Sequence, residues 1–278
     1  RSKGAGAEAA AGFEQLPWQQ LTMPFKPTEV ATEEQVELIH DASMRILEQI
    51  GIDVLLPEAR EMMVAAGATA KGERVCLGRE MIMELIASVP EQFTLHARNP
   101  ARNIRVGKNF INFGTVASAP NTNSLDGGRR PGNQQDYRNF LRLMQTLNIL
   151  HFTSGYPVEP VDIHPSIRHL HCLADAAKLT DKVYHCYSLG RQRNLDALEI
   201  ARLGRGVSHE RFAQEPSIFT IINSNSPLKL DEYMLQGIIE MSSRNQVVVL
   251  TPFTLAGAMA PVTIAGALAQ QNAEALAG

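Results

Sequence analysis

The chain has 278 residues, a formal net charge of −3, 44% hydrophobic residues and 20% charged ones. This is the balance of an ordinary globular protein, long enough for one large core or two domains, and it gives no support to nucleic-acid binding. No apolar run approaches the ~20 residues of a membrane helix. Three widely spaced cysteines, Cys76, Cys172 and Cys186, fit a reducing compartment such as the cytoplasm better than a disulfide framework.

Residues 1–29 are rich in small residues and lack a long apolar core, so they read as a surface arm and not as a secretory signal. Trp18, Pro24 and Phe25 could pin this arm to a neighbouring surface or subunit, and a homo-oligomer is expected. Residues 30–108 read as an α+β region. Thr32 and Gln35 have the form of a capping box before a helix with Val36, Ile39, Ser43, Ile46, Leu47 and Ile50 at helical spacing, and Gly51 is a natural stop. Ile52–Leu55 looks extended, Pro57–Ala66 and Arg79–Ser88 look helical, and Arg74–Leu77 suits a short strand. Phe93–Ala97 and Asn103–Val106 pair around an Asn99-Pro100 turn.

Residues 109–278 are more regular. Strands are expected at Phe110–Val116, Ile149–Ser154, Val183–Tyr187, Ser217–Ile222 and Val247–Leu250. Helices are expected from about Asn133, Pro165, Asn194 and Asp231, with a last one that takes Pro261 as its first residue. A glycine- and proline-rich loop, Asp126–Gly132, follows the first strand. Strands starting near 110, 149, 183, 217 and 247 with helices between them mean parallel βαβ units. No strand is followed by a glycine-rich phosphate-binding motif. The expectation is a (β/α)8 TIM-type barrel of which about the first five units are present, since residues 110–278 fall short of the ~250 of a complete barrel. The rest would be missing or come from another chain.

A barrel of this kind works at the C-terminal ends of its strands. Those loops hold Ser118, Asn121, Asn123, Asp126, Tyr156, Glu159, Tyr187, Ser188, Asn223, Ser226 and Phe253. They are rich in aromatics and amides and poor in paired carboxylates. Tyr156, Tyr187 and Phe253 could box a quaternary ammonium group by cation–π contact, or could simply pack. Glu159 could balance a cation or be a solvated charge. Asn223 could orient a polar substrate or satisfy a turn before Pro227. His185 could face the barrel lumen or be a core histidine. Arg129 and Arg130 could form surface salt bridges, or could contact an anionic cofactor arm or a partner protein. The free N–H groups of the helix near Pro261 could hold a carboxylate. No bound metal is expected: His164 caps a helix, and His169 and His171 point to different faces of it.

The stretch TPFTLAGAMAPVTIAGALAQQNAEALAG at 251–278 resembles the signature of the trimethylamine methyltransferase (MttB) superfamily. The likeness extends to NSNSPLKLD at 223–231, GTVASAP and DGGRRPG within 114–132, and TEEQVELIHDASMRILEQIGIDV at 32–54. It implies a (β/α)8 barrel that moves a methyl group from a methylated amine to the Co(I) of a corrinoid held by a separate small protein. The archaeal trimethylamine enzymes of the family carry pyrrolysine, at a position that falls beyond Gly278. The other members resemble a glycine betaine methyltransferase. A quaternary amine leaves neutral and needs no proton, which suits a mouth without an acid–base pair. Glycine betaine is therefore the first expected substrate. A barrel lyase and a non-catalytic binding or assembly member are the alternatives.

Overall fold

The computed structural model describes residues 14–278. The arm expected at 1–29 therefore falls within the described residues only from residue 14.

After β1 (Leu21–Thr22), Thr32 and Gln35 form the expected capping box. Thr32 Oγ1 accepts the Gln35 N–H at 3.2 Å, and Gln35 Oε1 accepts the Thr32 N–H at 2.9 Å. Helix α1 (Glu33–Arg45) runs into a π-helical turn, Ile46–Ile50, and ends at Gly51 with φ +76°. A Cβ there would lie 2.4 Å from the Val75 carbonyl oxygen, so only glycine fits. β2 (Ile52–Val54), α2 (Pro57–Ala65), β3 (Thr69–Lys71), β4 (Arg74–Cys76) and α3 (Arg79–Ile86) follow. β5 (Gln92–Leu95) and β6 (Ile104–Gly107) form the expected hairpin.

Next come β7 (Phe110–Ile111), β8 (Asn121–Ser124), β9 (Gly128–Pro131), α4 (Gln134–Thr146) and β10 (Phe152–Thr153). They are followed by α5 (Pro165–Leu179), β11 (Val183–Tyr187), α6 (Arg191–Arg205) and α7 (His209–Gln214). The described chain closes with β12 (Phe219–Ile222), β13 (Lys229–Leu230), α8 (Glu232–Ser242), β14 (Val247–Leu250) and α9 (Ile264–Ala277).

Three expectations are corrected. Phe110–Ile111 pairs antiparallel with β1 and does not open the parallel sheet. The parallel contact comes later, where Gly114 bridges to Phe152. Residues 121–131 form the β8–β9 hairpin where an irregular loop is expected, because Gly128 supplies a left-handed turn residue at φ +61°. Pro261 is not the first residue of the last helix. Thr263 caps it instead, its hydroxyl accepting the Gly266 N–H at 3.2 Å, which satisfies a donor that proline would leave free.

The central sheet is parallel, in the order β10-β11-β12-β14. Alternation along β11 divides its two faces. Tyr184 and Cys186 point into a core with Tyr137 and Leu141 of α4, Cys172 and Leu173 of α5, and Ala197 and Leu198 of α6. Val183 points the other way, onto Phe219, Leu95 and Ile104, so the β5–β6 hairpin covers that face. A further core joins the front of the chain to its end. β2 pairs in parallel with β13, and Met44, Leu47, Val54 and Val75 pack with Leu230, Leu235, Ala273 and Ala277. Among the described residues, no helix is long and apolar enough to cross a membrane, and the three cysteines are free.

Candidate substrate pocket

Tyr187 ends β11 and Tyr156 follows β10, so neighbouring parallel strands deliver both to the C-terminal edge of the sheet. Their rings meet edge to face, with centroids 4.7 Å apart. The Tyr187 hydroxyl accepts the Tyr156 backbone N–H at 3.2 Å and shares a 2.5 Å hydrogen bond with the Ser118 hydroxyl. Ser118 holds a left-handed φ of +58°, uncommon for a non-glycine residue. Gly155, at φ +147°, makes the approach possible, because a Cβ there would sit 2.2 Å from the Tyr187 hydroxyl oxygen. Burial raises the pKa of both phenols, so both stay protonated near neutral pH.

Below Tyr187 lies His185, its ring 4.8 Å away and nearly perpendicular. His185 is buried, and its Nε2 accepts the Ile221 N–H at 3.2 Å from β12. Nε2 is then unprotonated, and Nδ1 carries the hydrogen of the neutral ring. Burial pulls this pKa down to about 3. His185 is thus a neutral aromatic support for Tyr187, and its Nδ1 has no polar partner among the described residues.

Above the tyrosines is a cavity of about 320 Å³, at the small end of ligand-pocket sizes. Ser118, Tyr156, Glu159, Arg168, His169, Tyr187, Leu189 and Arg193 line it, with Pro165. Glu159 pairs with Arg168 at 3.3 Å, and the same guanidinium donates twice to the Ile163 carbonyl. His169 Nε2 meets Asp196 at 2.8 Å.

Of the residues expected to form the site, Tyr156, His185 and Tyr187 are brought together. Asn223 and Phe253 do not line this cavity. Asn223 Oδ1 accepts the Thr251 hydroxyl at 2.7 Å, and Phe253 is 57% exposed. Nor is the rest of that loop free to bind. The buried Glu274 carboxylate takes the hydroxyls of Ser224 and Ser226, the latter at 2.6 Å, and the Leu228 N–H at 2.9 Å. Arg168 and Arg193 were not singled out in the sequence. The strand-end rule selects loops, whereas these two sit in the first turns of α5 and α6. The available signal was a first turn of α6 that holds Arg191 and Arg193 and no acidic residue. Arg130 is tied up in an ion pair with Asp136, at 2.5 Å. His164 caps α5 as expected, its Nδ1 accepting the Ser166 N–H at 3.3 Å. Among the described residues, no group of three or more His, Cys, Asp or Glu side chains could hold a metal ion.

Fold and pocket define an α/β protein with an aromatic, mixed-charge cavity at the C-terminal ends of parallel strands. The chain belongs to the trimethylamine methyltransferase (MTTB) family, whose model matches residues 1–278. It is 38% identical to a glycine betaine methyltransferase of Desulfitobacterium hafniense (strain Y51), over 90% of this chain and 52% of that protein. It is 26% identical to a trimethylamine methyltransferase MttB of Desulfitobacterium hafniense (strain DSM 10664 / DCB-2), over 88% of this chain and 50% of that protein. A proline betaine:corrinoid methyltransferase of Eubacterium limosum is 24% identical, over 87% and 51%. The chain thus spans about half the length of these relatives.

Proposed function

We propose that this chain is the amine-binding part of a corrinoid-dependent methyltransferase that takes a methyl group from a quaternary amine, glycine betaine first. The observation that carries this reading is the Tyr156–Tyr187 pair lining a cavity at the strand ends. An aromatic wall attracts a quaternary ammonium ion, which carries no N–H and cannot be held by hydrogen bonds. The 38% identity to a glycine betaine methyltransferase supports the same substrate. Asn223 and Phe253 remain candidates for substrate contact only with loop movement.

The barrel reading is part of the proposal. The parallel segments run in chain order, from Gly114 through β10, β11, β12 and β14. A doubly wound sheet reverses its order at a switch point, and a barrel does not. Among the described residues β14 is an edge of this sheet.

The corrinoid, presented by a partner protein, would supply the methyl-accepting cobalt. The strand-end rim fits a broad, largely apolar macrocycle, since Val116 is 70% exposed, Leu189 50% and Phe253 57%. This chain's part would be to hold the cation, turn one methyl outward and exclude water. No acid–base pair is required, because the amine leaves neutral.

The test is methylcobalamin formation by the full-length protein from cob(I)alamin, followed by absorbance, with glycine betaine, carnitine, proline betaine and trimethylamine. Turnover with a quaternary amine, abolished by Tyr187→Ala, is expected. Silence across the panel from a folded protein would overturn the reading.

A further inference from the structure

Among the charged side chains that line the pocket, Arg193 lacks an ion-pair partner, because Asp196, one turn along α6, is engaged by His169 and Gln192 instead. Glu159 is already neutralised by Arg168. Arg193 donates to the Pro165 carbonyl at 3.1 Å and has no carboxylate within ion-pair distance among the described residues. It stands in the first turn of α6, where the helix dipole disfavours a cation, and neither α5 nor α6 has an acidic residue in its first turn. Its neighbour Arg191 is treated differently, being paired with Glu58 and Glu240. Two helix N-termini and a guanidinium without an ion-pair partner therefore meet at one cavity.

A bare cation gains little from such a wall, since its only carboxylate is spent on Arg168. A ligand that brings its own carboxylate supplies Arg193 with a partner. We infer that Arg193 receives the carboxylate of a zwitterionic amine and thereby makes the pocket select betaines over amines that lack an acid group. The ammonium end lies against Tyr187 and Tyr156, and the carboxylate end lies toward α6. Guanidinium suits this task because its planar N–H fork matches a carboxylate. The inference rests on the amine-site reading above and adds the residue that sets its specificity.

The test is calorimetric binding to the full-length protein, with glycine betaine and choline as ligands. Choline keeps the trimethylammonium group and replaces the carboxylate with a hydroxymethyl group. The expected result is at least about tenfold tighter binding of glycine betaine by the unaltered protein. Arg193→Gln should remove that preference by weakening glycine betaine about tenfold while choline stays within about twofold, and Arg193→Lys should keep part of it. Equal affinity for both ligands in the unaltered protein would overturn the inference and leave the amine site standing. Equal weakening of both by Arg193→Gln would also overturn it, by showing a structural role. Binding of neither ligand by any form would instead sink the amine-site reading itself.

Discussion

The hydroxyl of Tyr187 accepts the backbone N–H of Tyr156 at 3.2 Å, so the end of one parallel strand holds the loop that leaves its neighbour. This contact needs Gly155 to lack a side chain. Gly155→Ala should displace Tyr187, strain a backbone at φ +147° and destabilise the fold by about 1–3 kcal/mol. Tyr187→Phe keeps the ring but gives up the hydroxyl's bonds to Tyr156 and Ser118, and should cost about 1 kcal/mol. Denaturant unfolding of both variants measures this. A Gly155→Ala protein as stable as the parent would show that the approach is not as close as described.

Glu274 on α9 is 1% exposed and faces no cation within ion-pair distance among the described residues. Its oxygens are satisfied by Ser224, Ser226, Leu228 and Gln270, and Gln270 also donates to the Met259 carbonyl at 2.8 Å. One carboxylate therefore ties the loop after β12 to the loop after β14. Glu274→Leu strands several buried donors and should destabilise by about 3 kcal/mol, whereas Ser226→Ala should cost about 1 kcal/mol. Thermal unfolding tests the order; an equal or reversed ranking would rule out Glu274 as the hub.

His185 is neutral when folded, with a pKa near 3 against 6.5 for an ordinary histidine. Below pH 6.5 the unfolded chain gains a proton that the folded chain does not. The contribution is therefore full above pH 6.5 and is lost as pH falls toward 3. At pH 5 the loss from this residue alone should reach about 2 kcal/mol. His185→Phe should remove that part of the pH dependence between 5 and 7. An unchanged slope in the variant would contradict the buried neutral state.

Lys182 is 1% exposed and caps α4, its Nζ donating to the carbonyls of Met144 at 2.7 Å and Leu147 at 2.8 Å. Burial lowers its pKa to about 8 from 10.5. Between those values the unfolded chain holds a proton that the folded chain has released, so stability rises with pH across this window. The stability difference between the parent and Lys182→Met should grow by roughly 2–3 kcal/mol from pH 8 to pH 10.5. A difference independent of pH would refute the shift.

Much of the architecture was legible locally. Thr32 with Gln35 marks a helix start because the capping bonds close within one turn. The aliphatic run Val247–Leu250 marks a strand, though one left partly exposed and not covered on both faces, and the recurrence of strand and helix specifies a parallel sheet. The aromatic content of the strand ends was legible too, since each side chain's place follows from where its strand stops. What the sequence by itself could not determine is which strand-end residues meet. Tyr156 and Tyr187 come together, and Phe253 stays apart, because register and loop path decide the meeting point. The role of Arg193 also depends on distance, since only the fold shows that Arg191 finds Glu58 and Glu240 while Arg193, two residues on, finds no carboxylate. Periodicity and capping act over a few residues and survive in a linear reading. Charge balance and ring contacts act through space between elements, and only the tertiary structure decides them.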